Sequence, residues 1–164
     1  MLLFAEEISF AVDPRRLWDK EHRTSGAEIT ETDLHYTVFP AAVTFTVDAV
    51  PIVGPRRRVP LFDFLACAAR AVRALRHGEA ATVSYTESSD RVHLRPVDGD
   101  RVEISATGHP WVLNVDRVEL LETLTAFVQD GRAQLVDNVP GFGSNPQIGK
   151  LAVRCGGGEC SPGV

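Results

Sequence analysis

The sequence has no uninterrupted apolar run of the roughly 18 to 20 residues that a membrane-spanning helix requires. Its first twelve residues include Glu6 and Glu7, where a secretory signal peptide would have a basic start followed by an apolar stretch. We therefore expect a cytoplasmic protein that does not contact the membrane.

Cysteine is also scarce, with three residues in the whole chain: Cys67, Cys155 and Cys160. An odd and sparse set, one member of which falls in a predicted helix, does not indicate a disulfide framework. Four residues separate Cys155 from Cys160, so this pair can close a small disulfide or supply half of a zinc site. No second pair of Cys or His completes such a site, and the sequence favours a solvated tail over a redox or metal role.

The signatures of common catalytic and cofactor sites are missing. None of the five histidines has the spacing of a helical metal site, and no Gly-x-Ser-x-Gly elbow or P-loop lysine motif occurs. We therefore predict no cofactor and no metal, and assign no catalytic residue.

The composition that is present is that of an ordinary folded domain. Of 164 residues, 44% are hydrophobic and 24% are charged, which disfavours intrinsic disorder. A chain of this length buries roughly two thirds of the surface that its unfolded form exposes. We predict a single α+β domain over residues 1–153, followed by a flexible tail over 154–164.

The central part of the sequence predicts a helix, a β-meander and a second helix. Apolar residues recur at helical spacing over Pro60–His77, and Gly78 is a typical residue after a helix end. Short stretches that alternate apolar and polar residues follow, joined by turn sequences. Such alternation predicts an antiparallel sheet with one covered face, on which two amphipathic helices pack. Asp116 is expected to begin the second helix and Gly131 to end it.

The N-terminal part predicts a strand, a short helix, a loop and two further strands. Leu2–Val12 has the composition of a strand, and Pro14–His22 has that of a short helix. The polar stretch Thr24–Asp33 predicts a loop. Alternating residues over Leu34–Val38 and Val43–Val47 predict two antiparallel strands, broken at the proline between them.

Positive charge is concentrated in one segment of an otherwise acidic chain. The formal net charge is −5, yet residues 55–77 contain six arginines and one aspartate. The candidate binding residues in this segment are Arg56, Arg57, Arg58, Arg70, Arg73 and Arg76. They form a solvated face, a contact surface for an acidic protein or ligand, or a nucleic-acid site. The pI of about 5.5 and the lack of an obvious series of base-stacking aromatics make nucleic acid the weakest of the three.

An alternative site lies on the polar face of the predicted meander. His93 is expected there beside Glu103, and a neighbouring carboxylate is what turns a histidine into a general base. Glu87 and Asp90 add carboxylates in the preceding turn. Ordinary surface positions and a self-capping turn explain the same residues more simply.

Three stretches carry a resemblance to known proteins: Val59–Leu65, Tyr85–Asp90 and Glu119–Leu124. They resemble small bacterial proteins that are frequent among actinobacteria, and the Arg- and Ala-rich, Lys-poor composition agrees. Some proteins of this organisation look like immunity proteins, which neutralise a toxin by binding it. Because the sequence assembles no nucleophile, acid–base pair, metal set or phosphate loop, the leading hypothesis is a non-enzymatic binding module with a protein partner, either immunity-like or regulatory. A small-ligand protein or enzyme using the polar sheet face is the alternative, and nucleic-acid binding is the third.

Overall fold

The structure is a computed structural model that describes residues 4–10, 25–36, 38–47, 50–53, 58–84 and 89–153. The helix predicted over Pro14–His22 and the tail predicted over 154–164 lie outside these residues. The described part contains helices and antiparallel sheets, which confirms the predicted α+β class with a meander and two main helices. None of its helices is both long enough and apolar enough to cross a membrane.

Eight strands and three α-helices make up the described part of the chain, together with short 3-10 helices. The strands are β1 Phe4–Phe10, β2 Pro40–Val47, β3 Val50–Val53, β4 Arg58–Pro60, β5 Ala81–Ser84, β6 Arg91–Val97, β7 Arg101–Ala106 and β8 Val112–Asp116. The α-helices are α1 Glu31–Tyr36, α2 Leu61–Arg76 and α3 Arg117–Asn138, and the 3-10 helices are Gly26–Glu28, Phe142–Ser144 and Pro146–Leu151.

The strands form two separate four-stranded sheets. In the first, β2 pairs antiparallel with β1, β3 and β4. The second is the meander, with β5, β6, β7 and β8 paired in sequence order. Its strands alternate as expected: Val92 and Leu94 are buried, whereas His93 and Arg95 are exposed. One face of the meander is therefore covered and the other is open to solvent.

The strand predicted over Leu34–Val38 is wrong, because Glu31–Tyr36 forms α1. Thr30 Oγ1 accepts a hydrogen bond from the backbone N–H of Asp33 at 3.2 Å, which caps the start of this helix. Leu34, in the middle of this short helix, is completely buried. The loop predicted over Thr24–Asp33 likewise contains a 3-10 helix and the start of α1, while the proline at position 40 begins β2 and does not separate two strands.

Helix α2 lies at the centre of the molecule. Twelve of its sixteen residues are buried, and it contacts α1, α3 and strands of both sheets. It ends where expected: Gly78 has a φ of 72°, and its backbone N–H donates to the carbonyl of Leu75 at 3.1 Å. The predicted helix over Pro60–His77 is thereby confirmed to within a residue at each end.

Helix α3 begins as predicted but continues through its glycine. Asp116 Oδ1 accepts from the N–H of Glu119 at 3.0 Å. The prediction that Gly131 ends the helix is wrong, because the helix runs on to Asn138. A Cβ at position 131 would lie 2.6 Å from a methyl carbon of Leu65 in α2. The glycine is there because the two helices cross closely, and the energy of packing exceeds its low helix propensity.

Two segments that are far apart in the sequence, one before β2 and one after α3, meet over α2. The ring of Phe142 packs edge to face on the rings of Phe39 and Phe62. The ring centroids are 6.2 Å apart in each pair. Asn145, 1% exposed, donates from Nδ2 to the carbonyls of Gly26 and Ile29 at 2.8 and 3.1 Å. These contacts fix the segment before α1 against the segment before Pro146–Leu151.

Candidate functional site

The structure separates the predicted arginines into two places. Arg70 and Arg73 are exposed on α2 and line the same groove, whereas Arg76 lines a different one. Arg56 and Arg57 lie outside the described residues, and of Arg58 only the backbone, in β4, is described. The described arginines of α2 therefore line two different grooves.

The groove at Arg70 and Arg73 lies where α1, α2 and the 3-10 helix Pro146–Leu151 meet. Its volume is about 250 Å³. We call it the cationic groove, and its lining residues are Glu31, His35, Ala66, Arg70, Arg73 and Lys150. Three permanent cations and one exposed carboxylate give this small surface a positive balance, on a chain whose formal net charge is −5.

Both guanidinium groups of the groove are held by neutral partners. Arg70 Nη2 donates to the thiol sulfur of Cys67 at 3.0 Å. Arg73 Nη1 donates to the backbone carbonyl of Ala152 at 3.0 Å. Within the described part of the chain, neither guanidinium has a carboxylate within 4.0 Å. Each arginine has five N–H donors, so donors remain available to an anion that enters the groove.

The lysine of the groove has an acidic partner. Lys150 Nζ contacts Glu31 Oε1, and the side chains of both residues are substantially exposed. The hydrogen bond and the positive charge of Lys150 lower the pKa of Glu31. The carboxylate of Glu31 therefore stays ionised at neutral pH and occupies one side of the groove.

His35 reaches the groove from α1 and is oriented by a carboxylate on α2. Its Nδ1 lies 2.6 Å from Oδ1 of Asp63, whose side chain is 9% exposed. An ionised carboxylate only accepts hydrogen bonds, so Nδ1 carries the proton. The imidazole also packs edge to face on Phe62, with centroids 5.5 Å apart. Nε2 lies 3.9 Å from Glu31 Oε1, beyond hydrogen-bond distance.

Cys67 lies beneath Arg70 and is almost completely buried. Its Sγ donates to the backbone carbonyl of Ser84 at 3.0 Å. Burial, as the largest effect, raises the pKa of the Cys67 thiol, although the hydrogen bond from Arg70 opposes that shift. A protonated thiol is a poor nucleophile, so Cys67 supports the position of Arg70 and is not an activated cysteine.

The residues of the alternative site lie on the open face of the meander. His93 Nδ1 is 3.2 Å from the hydroxyl oxygen of Thr82 on the neighbouring strand. Glu103 Oε1 accepts from Nε and Nη2 of Arg95 at 3.1 and 2.7 Å. His93 and Glu103 share this face but bond to different partners. Asp90 lies just before β6, and Glu87 is outside the described residues.

Arg76 belongs to a second groove, of about 510 Å³, on the outer side of α3. Its Nη2 donates to Thr125 Oγ1 at 3.3 Å. Val118, which is 54% exposed, and Leu121 give this groove an apolar wall, and Glu122 contributes a carboxylate. Arg76 is directed towards α3, so it does not add to the charge of the cationic groove.

Four residues of the groove and its support were not identified from the sequence: Glu31, His35, Asp63 and Lys150. A signal existed for the first pair, since Glu31 and His35 are spaced i, i+4, which places both on one side of a helix. The predicted loop and strand concealed it. No local pattern connects Lys150 with Glu31, because 119 residues separate them.

The side chains of the cationic groove are of the kinds that can bind an anion. Guanidinium and ammonium groups converge on a small cavity, and a histidine with a fixed ring lies at its edge. Among the described residues, no group of three or more His, Cys, Asp or Glu side chains is placed to hold a metal ion.

Comparisons with protein families, with curated proteins and with solved structures found no match for this chain.

Proposed function

We propose that this protein is a binding module that recognises an acidic segment of a partner protein through the cationic groove. The observation that carries this proposal is the pair Arg70 and Arg73. Both are exposed, both line one cavity, and within the described residues neither has a carboxylate partner. An immunity-like or regulatory protein that acts by contact needs a surface of this kind.

The positive balance of the groove also supports an acidic partner. Electrostatic complementarity steers association and rejects partners of the wrong sign, even where its contribution to affinity is modest. The chain as a whole carries a formal net charge of −5, so an acidic partner is repelled on average and attracted where cations such as those of the groove lie together. The result is a preferred orientation of docking.

A nucleic-acid partner fits these residues less well. Binding to a phosphate backbone uses cations placed along a stripe, usually with aromatic side chains that stack on bases. Here Arg76 lines a different groove from Arg70 and Arg73, and a tyrosine or tryptophan is not among the residues that line the cationic groove. A cavity of about 250 Å³ is suited to one acidic side chain at a time.

The test is a binding measurement with a fluorescein-labelled peptide of alternating Glu and Gly, beside a matched peptide of Gln and Gly. We expect binding of the Glu peptide that weakens with added salt, and no binding of the Gln peptide. The double variant Arg70→Gln, Arg73→Gln should lose at least about tenfold in affinity, because two charge-assisted hydrogen bonds are removed.

Arg132→Gln is the control, since it removes one charge from an exposed position of α3 outside the groove. If Arg132→Gln lost as much affinity per removed charge as the double variant Arg70→Gln, Arg73→Gln, binding would be non-specific. That result would contradict the proposal. Tighter binding of a single-stranded oligonucleotide of the same charge would favour nucleic acid instead.

A further inference from the structure

We propose that the cationic groove is a carboxylate-binding site in which Glu31 takes the place of the ligand until a partner binds. A glutamate or aspartate side chain of the partner then replaces the Glu31 carboxylate at Lys150 and engages Arg70 and Arg73. This inference rests on the proposed function and specifies the chemical group that the groove recognises.

The position of Glu31 carries the inference. A single oxygen, Oε1, contacts Nζ of Lys150 and lies 3.9 Å from Nε2 of His35. Lys150, which lines the groove, is therefore engaged by an oxygen of the chain's own carboxylate. A carboxylate from another protein makes the same contact if Glu31 turns away.

Glu31 is free to turn away, whereas the other nearby carboxylate is not. The side chain of Glu31 is 54% exposed and that of Lys150 is 41% exposed, and exposed ion pairs of this kind are weak and easily exchanged. Asp63 is 9% exposed and is held at 2.6 Å by His35. Exchange therefore affects one carboxylate only, and the orientation of His35 is kept.

The size and the wall of the groove fit one side chain. Its volume of about 250 Å³ lies below the range of about 300–1,000 Å³ that is usual for sites of drug-sized ligands. Ala66 supplies an apolar contact for the short alkyl stem of a glutamate. The flat, two-oxygen carboxylate also matches the paired donors of a guanidinium.

The experiment titrates the ¹⁵N-labelled full-length protein with acetyl-Gly-Glu-Gly-amide and, separately, with acetyl-Gly-Gln-Gly-amide, by NMR. Glu31→Gln should bind the Glu peptide about two- to fivefold more tightly than the wild type, because the competing charge of an exposed pair is gone. Glu79→Gln, which removes an exposed charge beyond the end of α2, is the matched control and should leave the affinity unchanged. The Gln peptide should bind none of the three proteins.

Suppose that Glu31→Gln binds the Glu peptide no more tightly than the wild type does, while the double variant Arg70→Gln, Arg73→Gln still loses binding. That result would overturn the role of Glu31 and leave the proposed function standing. If the long acidic peptide binds but the short Glu peptide binds neither the wild type nor Glu31→Gln, the inference alone fails. If neither the long acidic peptide nor the short Glu peptide binds, both the inference and the proposed function fail. Tighter binding of inorganic phosphate than of the Glu peptide would overturn the assignment to carboxylate.

Discussion

The imidazole Nδ1 of His35 lies 2.6 Å from the carboxylate Oδ1 of Asp63, although 28 residues separate them in the chain. The contact connects α1, a helix of six residues, to the central helix α2. So short a helix is not stable alone in water, so its position depends on tertiary contacts of this kind. The pair therefore fixes one wall of the cationic groove.

We predict that Asp63→Asn destabilises the fold by about 1–2 kcal/mol, because a charge-assisted hydrogen bond becomes a neutral one at a buried position. Urea unfolding measures this loss, with Asp130→Asn on the exposed side of α3 as the control. Long-range ¹H–¹⁵N spectra should also show the Nδ1–H tautomer of His35 in the wild type. A dominant Nε2–H tautomer would contradict the hydrogen bond to Asp63.

Cys67 gives a prediction for alkaline pH. Burial raises the pKa of the Cys67 thiol above its ordinary value, so the unfolded chain releases this proton at a lower pH than the folded chain does. The free energy of unfolding should therefore fall as the pH rises above about 8.5, the ordinary pKa of a cysteine thiol.

The measurement compares urea unfolding from pH 7 to 10 in a Cys155→Ser, Cys160→Ser background with and without Cys67→Ala. The fall attributable to Cys67 should be absent from the Cys67→Ala protein. Rapid reaction of Cys67 with a thiol reagent under native conditions would show that the residue is not buried as described.

Gly131 should be intolerant of a side chain. In Gly131→Ala the added methyl would lie 2.6 Å from a methyl carbon of Leu65, so either the buried Leu65 side chain must change its rotamer or α2 and α3 must move apart. The strain should exceed the gain in helix propensity and destabilise the protein by about 1–3 kcal/mol. Gly149→Ala is the control, because a Cβ there meets nothing within 4 Å. A Gly131→Ala protein as stable as the wild type would contradict the close crossing.

Asn145 should be needed for the stability of the groove as well as of the fold. Asn145→Ala removes two hydrogen bonds to the carbonyls of Gly26 and Ile29, and a third from the N–H of Gln147 at 2.9 Å. Because buried groups lose their hydrogen-bond partners, the free energy of unfolding should fall by about 2–4 kcal/mol, as measured by thermal or urea unfolding. In Asn145→Ala, the rate of hydrogen exchange should increase most in the backbone amides of α1. Uniform exchange throughout the chain would show that Asn145 does not hold α1 specifically.

The regular elements were predictable from sequence because their signals are local. Helix α2 has an apolar stripe, a proline before it and Gly78 after it, and the meander strands alternate with a period of two. The errors have physical causes too. Gly131 resembles a stop signal within α3, and the alternation of Leu34 and Tyr36 resembles a strand, until the packing of neighbouring elements is known.

The candidate site was predictable in part only. Arg70 and Arg73 were found because positive charge is concentrated over residues 55–77 of an otherwise acidic chain. Phe39, with a φ of 57°, shows the limit of such reasoning: its left-handed backbone is maintained by burial and by a hydrogen bond of 3.0 Å from Leu61 to its carbonyl. Nothing in the neighbouring residues signals that conformation.

By itself, the sequence determined the α+β class, the meander and the central helix, because short-range periodicity and turn residues set these features, and it showed the concentration of arginines over residues 55–77. Tertiary structure alone brought Lys150 to Glu31 and Asp63 to His35. Contacts between residues so far apart in the chain depend on how helices and loops pack over α2, and no local pattern encodes that arrangement. The arginines were visible in the sequence, but the groove that gives them a function was not.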